Sequence, residues 1–194
     1  MSQCLTATVE GIVDEAVARR LCEVVGVTLR ACHVKKGKHK LDSSLRAYNS
    51  AARFGRWLVV RDLDHDAPCP AALVAHLCPS RAPNLCLRIA VRAVESWFLG
   101  DPANLANFLR VSKALVPPHP DSLDDPKGAV INLAVRSRRR EVREDIVPAG
   151  PGHREGPAYA SRIIEFAQFH WDARSAAANS NSLARCLAAL DALS

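Results

Sequence analysis

Short apolar runs alternate with stretches of helical period between residues 4 and 91, and that alternation leaves few folds open. Cys4 to Glu10, Val27 to Val34, Trp57 to Val60 and Leu85 to Val91 each read as a buried strand. Between the first two lies Glu15 to Val25, where Ala16, Val17, Leu21, Val24 and Val25 recur at helical spacing; Asp14 is placed to cap this helix and Gly26 to end it. Leu41 to Phe54, stopped by Gly55, and Ala71 to Leu77 suit two further helices. Strands separated by helices predict an α/β fold with a mostly parallel four-stranded sheet and helices on both faces, joined by right-handed crossovers.

After Val91 the pattern turns helical. Ala93 to Leu99, Asn104 to Leu109, Lys127 to Arg136, Ala158 to Trp171 and Ser182 to Leu193 read as helices. Val116 to Pro126 and Pro148 to Pro157 read as exposed loops rich in proline, aspartate or glycine. The expected organisation is an α/β core over residues 1–92 and a helical extension over 93–194, packed together as one unit. Tyr159, Phe166, Phe169 and Trp171 are expected in the core of that extension.

Carboxylates cluster where such a sheet does its chemistry. Glu10 ends the first strand, and Asp62, Asp64 and Asp66 follow the third. Ligands of open parallel sheets sit beyond the carboxyl ends of the strands. In extended backbone Asp62 and Asp64 would face one side and share an ion. Magnesium prefers oxygen ligands and keeps several waters, so two or three carboxylates plus a substrate phosphate make a suitable shell, with manganese as its substitute. Without a cation, four such acids repel and their pKa values rise. Glu95, beyond the fourth strand, is a further candidate ligand, and equally a helix-start residue. His65, inside the acidic run, suits a solvated turn or a proton shuttle. Cys69, His76 and Cys78 do not have the spacing of paired zinc knuckles. The remaining cysteines fit a reduced, cytosolic chain, with Cys4, Cys32 and Cys86 as packing residues.

A net charge of +6 favours partners that carry phosphate. One basic run contains Lys35, Lys36, Lys38 and Lys40, the other Arg136, Arg138, Arg139, Arg140 and Arg143. Both are read as candidate phosphate-binding segments for DNA or RNA, against the alternative of solvated surface. Lys127 and the arginines between 136 and 143 are candidates for a cation at the reaction centre. No apolar run reaches the ~20 residues of a membrane span. The start, MSQCLTATVEG, lacks the character of a secretory leader, so a cytoplasmic location is expected.

Val9-Glu10-Gly11-Ile12-Val13-Asp14 resembles the first motif of Toprim domains, and Asp62-Leu63-Asp64-His65-Asp66 resembles the second. The likeness covers roughly residues 4 to 91. With Glu95-Ser96-Trp97, the chain is similar to a small bacterial family of Toprim-like proteins related to the nuclease half of overcoming-lysogenization-defect proteins. This resemblance implies magnesium-dependent phosphodiester hydrolysis. Glu10 would be general acid/base or metal ligand, Asp62 and Asp64 magnesium ligands, and Asp66 an outer or second-metal ligand. It also implies a separate ABC-type ATPase as partner in phage defence, since this chain has no P-loop. Assembly into a homo-oligomer is compatible with this picture. Neither the tyrosine domain of a topoisomerase nor the zinc module of a primase accompanies the motifs. Two alternatives stay open: a noncatalytic Toprim-like module that binds nucleic acid or an ATPase, and phosphoryl or nucleotidyl transfer on a small nucleotide.

Overall fold

A computed structural model describes residues 4–150 and 152–193. Met1 to Gln3, Pro151 and Ser194 lie outside the described residues, so the expectation drawn from the first residues of the chain reaches outside them too. The sheet is formed by β1 (Cys4–Val9), β2 (Thr28–Val34), β3 (Arg56–Asp62) and β4 (Leu85–Ala90), in the order β2-β1-β3-β4 with every pairing parallel. The connecting helices are α1 (Ile12–Val25), α2 (Lys38–Ala51) and α3 (Pro70–Leu77). The chain is therefore an α/β fold with a four-stranded, all-parallel sheet flanked by helices.

The two faces of the sheet can be read from alternation along the strands. Val59, Leu85, Leu87 and Ile89 pack with Leu41 and Leu45 of α2 and Leu73 of α3. Leu5, Ala7, Leu58, Val60, Cys86 and Ala90 face the opposite side, against α1 and the helices of the second half. Successive residues of a strand point to opposite faces, so one strand sequence supplies both cores. Near-continuous apolar strands such as Leu58-Val59-Val60 are what a sheet covered on both sides requires. Gly26 ends α1 with φ of 73°, a left-handed conformation that costs glycine little. The first helix starts at Ile12, with Gly11 as its N-cap, so Asp14 lies in the first turn and not at the cap.

The second half contributes α4 (Glu95–Leu99), α5 (Pro102–Leu109), α6 (Pro126–Val135), α7 (Arg140–Ile146), α8 (Tyr159–Phe169), α9 (Ala173–Ala177) and α10 (Asn181–Asp191). It shares one hydrophobic core with β1 and α1. Trp97, Phe98, Phe166 and Trp171 are fully buried at its centre, with Phe98 edge-on to Phe166 and Trp171 at centroid distances of 5.6 and 5.2 Å. The indole N–H of Trp97 donates to Ser182 Oγ at 2.8 Å, and that of Trp171 to the Trp97 carbonyl at 3.3 Å. Aromatic residues bury much area yet need a partner for each polar tip, and both indoles have one. Phe169 differs from expectation: it is 74% exposed at the end of α8. Cys4 is also exposed, whereas Cys86 is buried. Among the described residues, no helix is long and apolar enough to cross a membrane.

Candidate functional site

From β1 the chain runs through α1 to β2 on one side; from β3 it runs through α3 to β4 on the other. The loops after β1 and β3 thus diverge, and a crevice opens between neighbouring strand ends. Glu10 follows β1, and Asp62 is the last residue of β3. The Asp62 backbone N–H donates to Glu10 Oε1 at 3.0 Å. Asp62 Oδ1 in turn accepts the N–H of Val94 at 3.0 Å, from the segment after β4. Asp14 Oδ2 accepts the Gly11 N–H at 2.7 Å. Glu95 opens α4, and its Oε1 accepts the Tyr159 hydroxyl at 2.9 Å. Four acids from three segments, the β1–α1 junction, the end of β3 and the start of α4, therefore have fixed positions at one edge of the sheet.

Above them is a cleft of about 890 Å³. Asp14, Asp62, Asp64 and Glu95 line it from the sheet side. Asp124, Asp125, Lys127, Arg154, Glu155 and Tyr159 line it from the second half. Burial pushes the Asp62 carboxyl well above the usual range, and Asp14, Glu95, Glu10 and Asp64 push it further. Asp14 is pushed up to about 7, by burial first; the Gly11 N–H opposes this, and Glu95 and Glu10 add to it. Burial also raises Glu95, against its own backbone N–H, Lys127 and the Tyr159 hydroxyl. Glu10 is raised by burial, against the Asp62 N–H and Arg61. Burial and the neighbouring Glu95 raise the Tyr159 hydroxyl, which stays protonated as a donor. The acids therefore crowd one another, and any positive charge that enters favours their ionised forms.

Beside the cleft the charges balance differently. Arg61, only 2% exposed, reaches Asp42 at 3.1 Å, Asp66 at 2.5 Å, Glu10 at 3.6 Å and Asp64 at 3.7 Å. Lys38 Nζ lies 2.9 Å from both Asp64 and Asp66. Lys38 and Arg61 hold the Asp66 carboxyl below its ordinary pKa. Asp66 is thus engaged by two cations and does not line the cleft, whereas Asp64 touches both settings. The route by which Asp62 and Asp64 approach one ion also differs from the sequence reading. Asp64 has φ of 47°, so a turn, not extended alternation, sets its direction. Arg92, after β4, has φ of 59°. The Asp64 N–H donates to the Arg92 carbonyl at 2.9 Å, and Arg92 Nη1 donates to the Asp64 carbonyl at 2.6 Å. Two non-glycine residues in left-handed conformation are held there by each other, as happens where a site fixes backbone against local preference.

Of the predicted phosphate-binding residues, none lines this cleft. Lys35 lies over the Tyr48 ring at 5.4 Å, Lys36 is exposed in a left-handed turn, and Lys38 is paired as described. Arg138, Arg139 and Arg140 are exposed, and Arg140 pairs with Glu144 at 2.7 Å. The cations that do line it are Arg92, Lys127 and Arg154. Lys127 stands over the Tyr159 ring at 4.7 Å and pairs with Glu155. Sequence reasoning raised Lys127 but missed Arg92 and Arg154. Arg92 could have been found by the strand-end rule that found Glu95; Arg154 sits in a loop with no local signal. Asp124, Asp125 and Glu155 were missed for the same reason. His65 borders the cleft and is exposed.

Among the described residues, no three histidine, cysteine, aspartate or glutamate side chains form a ready-made ligand set. The donor chemistry nevertheless suits a hard cation. The acids are all oxygen donors, the neighbouring carboxylates add to the burial that raises Asp14 and Asp62, and magnesium commonly needs only one or two carboxylates beside its waters. No protein-family model, curated protein or solved structure matches the chain, so its site is read from its own geometry.

Proposed function

We propose that the chain is a Toprim-like, magnesium- or manganese-dependent phosphodiesterase that hydrolyses nucleic acid at this cleft. One observation carries the reading: Asp14, Asp62, Asp64 and Glu95 line one strand-end cleft together with the cations Arg92, Lys127 and Arg154, and Glu10, which does not line it, accepts the Asp62 N–H beside it. Asp62, Asp64 and Glu95 would hold the metal, with Asp14 as a further oxygen donor. A bound divalent cation supplies neutralisation of the phosphate and a lowered pKa for an attacking water. Glu10, bonded to the Asp62 N–H beside the cleft, would hold or accept a proton from the attacking water; its raised pKa moves it toward the working range of a general base. Lys127, Arg154 and Arg92 bind the phosphate oxygens and oppose the charge that builds on them. Arg61 and Lys38 hold the Asp64–Asp66 turn in place through their ion pairs.

The decisive experiment measures cleavage of single- and double-stranded DNA and RNA with magnesium and manganese. The expected result is metal-dependent cleavage by the parent and none by Glu10→Gln, Asp62→Asn or Asp64→Asn. Unchanged cleavage by an Asp62→Asn, Asp64→Asn double variant would overturn the site. An inactive parent that still binds the polynucleotide would leave a noncatalytic binding module.

A further inference from the structure

Glu95 is the cleft acid that the second half reaches directly. It opens α4 and is 5% exposed; Tyr159 opens α8 and is 1% exposed. The Tyr159 hydroxyl donates to Glu95 Oε1 at 2.9 Å, and among the described residues this is the one side-chain hydrogen bond that Glu95 accepts. Both residues line the cleft. They stand 64 positions apart in the chain, so packing brings them together. The helix that starts at Tyr159 lies against α1, whose first turn carries Asp14.

Core packing alone gives a poor account of this pair. A buried phenol needs an acceptor, but a neutral carbonyl would serve. The Glu95 carboxylate lies close enough to Asp62 and Asp14 to raise both, and its own charge is disfavoured by burial. One hydrogen bond from a phenol offsets only part of the cost of burying a carboxylate. What the bond does supply is orientation. The last torsion of a glutamate is broad, and a donor fixed on one oxygen narrows it. The ring has a second role. Lys127 Nζ lies 4.7 Å from its centroid, a cation held on an aromatic face, and the charge of Lys127 favours ionised Glu95. The phenol thus engages an acid through its hydroxyl and a cation through its face.

We infer that Tyr159 is a positioning residue of the cleft: its hydroxyl holds the Glu95 carboxylate in one orientation for a divalent cation, and its ring seats Lys127. The inference rests on the metal-dependent reading above. It gives the second half a part in the site, because the α/β core by itself lacks the group that orients Glu95. Partners that orient metal ligands commonly change metal affinity by about 10- to 100-fold when they are replaced.

The test measures manganese binding to the full chain by electron paramagnetic resonance of the free ion. The proteins are the parent, Tyr159→Phe, Glu95→Gln, the double variant and Asp62→Asn. Phenylalanine keeps the ring under Lys127 and removes only the hydroxyl. Tyr159→Phe should weaken manganese binding by about tenfold or more, in the range for such partners. In the Glu95→Gln background the same change should have little further effect, because the carboxylate it orients is gone. A role in packing alone would alter urea stability and leave manganese affinity unmoved, or lower affinity equally in both backgrounds; either result overturns the proposal. A second measurement needs no change at Tyr159. The chain has two tyrosines, so manganese added to Tyr48→Phe should produce a near-ultraviolet tyrosine difference band from Tyr159. Absence of that band, in a protein that binds manganese, also overturns the proposal. Failure of the underlying reading looks different: the parent binds no manganese, or Asp62→Asn binds it as tightly as the parent, and the positioning role falls with it.

Discussion

The Asp62 backbone N–H donates to the carboxylate of Glu10 at 3.0 Å, so a side chain ties together the tips of the two central strands. The link extends to a third segment, because the Asp62 carboxylate accepts the Val94 N–H. Acids that would bind a cation also close the end of the sheet, and stability and activity must be separated when they are changed.

Glu10→Gln and Glu10→Ala make that separation. Glutamine keeps an acceptor for the Asp62 N–H and should cost less than about 1 kcal/mol of stability, whereas alanine leaves that partly buried donor unpaired and should cost about 1–3 kcal/mol. Urea unfolding without metal checks this. Equal losses in the two variants would mean that the hydrogen bond contributes little. Both should lose the proposed cleavage activity, since neither retains a titratable group.

Acidity should stabilise the metal-free protein at this site. In the unfolded chain Asp14 releases its proton near 3.8, and in the folded chain at about 7. Between these values the folded state holds the extra proton, so this group's contribution is full below the lower value and is lost as pH rises through the upper one. Glu10, Asp62 and Glu95 shift in the same direction. Asp66 shifts the opposite way and adds stability above the ordinary carboxylate range that is lost as pH falls. Comparing Asp14→Asn with the parent isolates Asp14: the variant should gain on the parent as pH rises from 4.5 to 7.5, by an amount on the order of a few kcal/mol. Parallel stability curves for the two proteins would remove Asp14 from the account.

Much of this frame is legible in the sequence, for reasons that also explain the gaps. Apolar runs as short as Leu58-Val59-Val60 signal a doubly covered strand, and strand ends locate Glu10, Asp62 and Glu95. The helix Arg140–Ile146 reads as a charged run because only Ile146 in it is buried, which leaves no apolar stripe. Asp64 reads as extended, yet its left-handed turn depends on Arg92, 28 residues away. Arg154 and Glu155 reach the cleft from a loop with no period of its own, carried there by the packing of α8 on α1. Signals set by neighbours in the chain can be read; those set by tertiary packing cannot.

Metal should stabilise the parent by mass action. At one hundred times its dissociation constant, magnesium or manganese would add about 2.7 kcal/mol. For a chain of this size that raises Tm by roughly 5–10 °C. The shift should be larger at pH 8 than at pH 5.5, because ligand carboxylates must be ionised to bind. Asp62→Asn should abolish most of it, and EDTA should reverse it in the parent. A scanning fluorimetry series would disprove the site if Asp62→Asn and the parent respond alike.

The two sets of cations should separate local chemistry from polymer binding. Lys127 and Arg154 border the acidic cleft, whereas Arg138, Arg139 and Arg140 lie outside it and are exposed. A small diester such as bis-p-nitrophenyl phosphate reaches only the cleft. Lys127→Ala and Arg154→Ala should therefore slow its hydrolysis by about two to three orders of magnitude, a loss of transition-state stabilisation in the range of one electrostatic donor. Alanine at 138, 139 and 140 together should leave that reaction unchanged. The triple variant should instead weaken polynucleotide binding and flatten its salt dependence, because it neutralises fewer phosphates and so releases fewer counterions. Lys127→Ala carries a complication, since it also frees Glu155, its partner at the cleft. A Lys127→Ala, Glu155→Gln double variant tests that point: restored hydrolysis would show that Lys127 acts by neutralising Glu155, and continued loss would show that it acts on the phosphate. If the triple arginine variant hydrolyses the small diester more slowly while Lys127→Ala and Arg154→Ala do not, the reacting phosphate lies elsewhere than in this cleft.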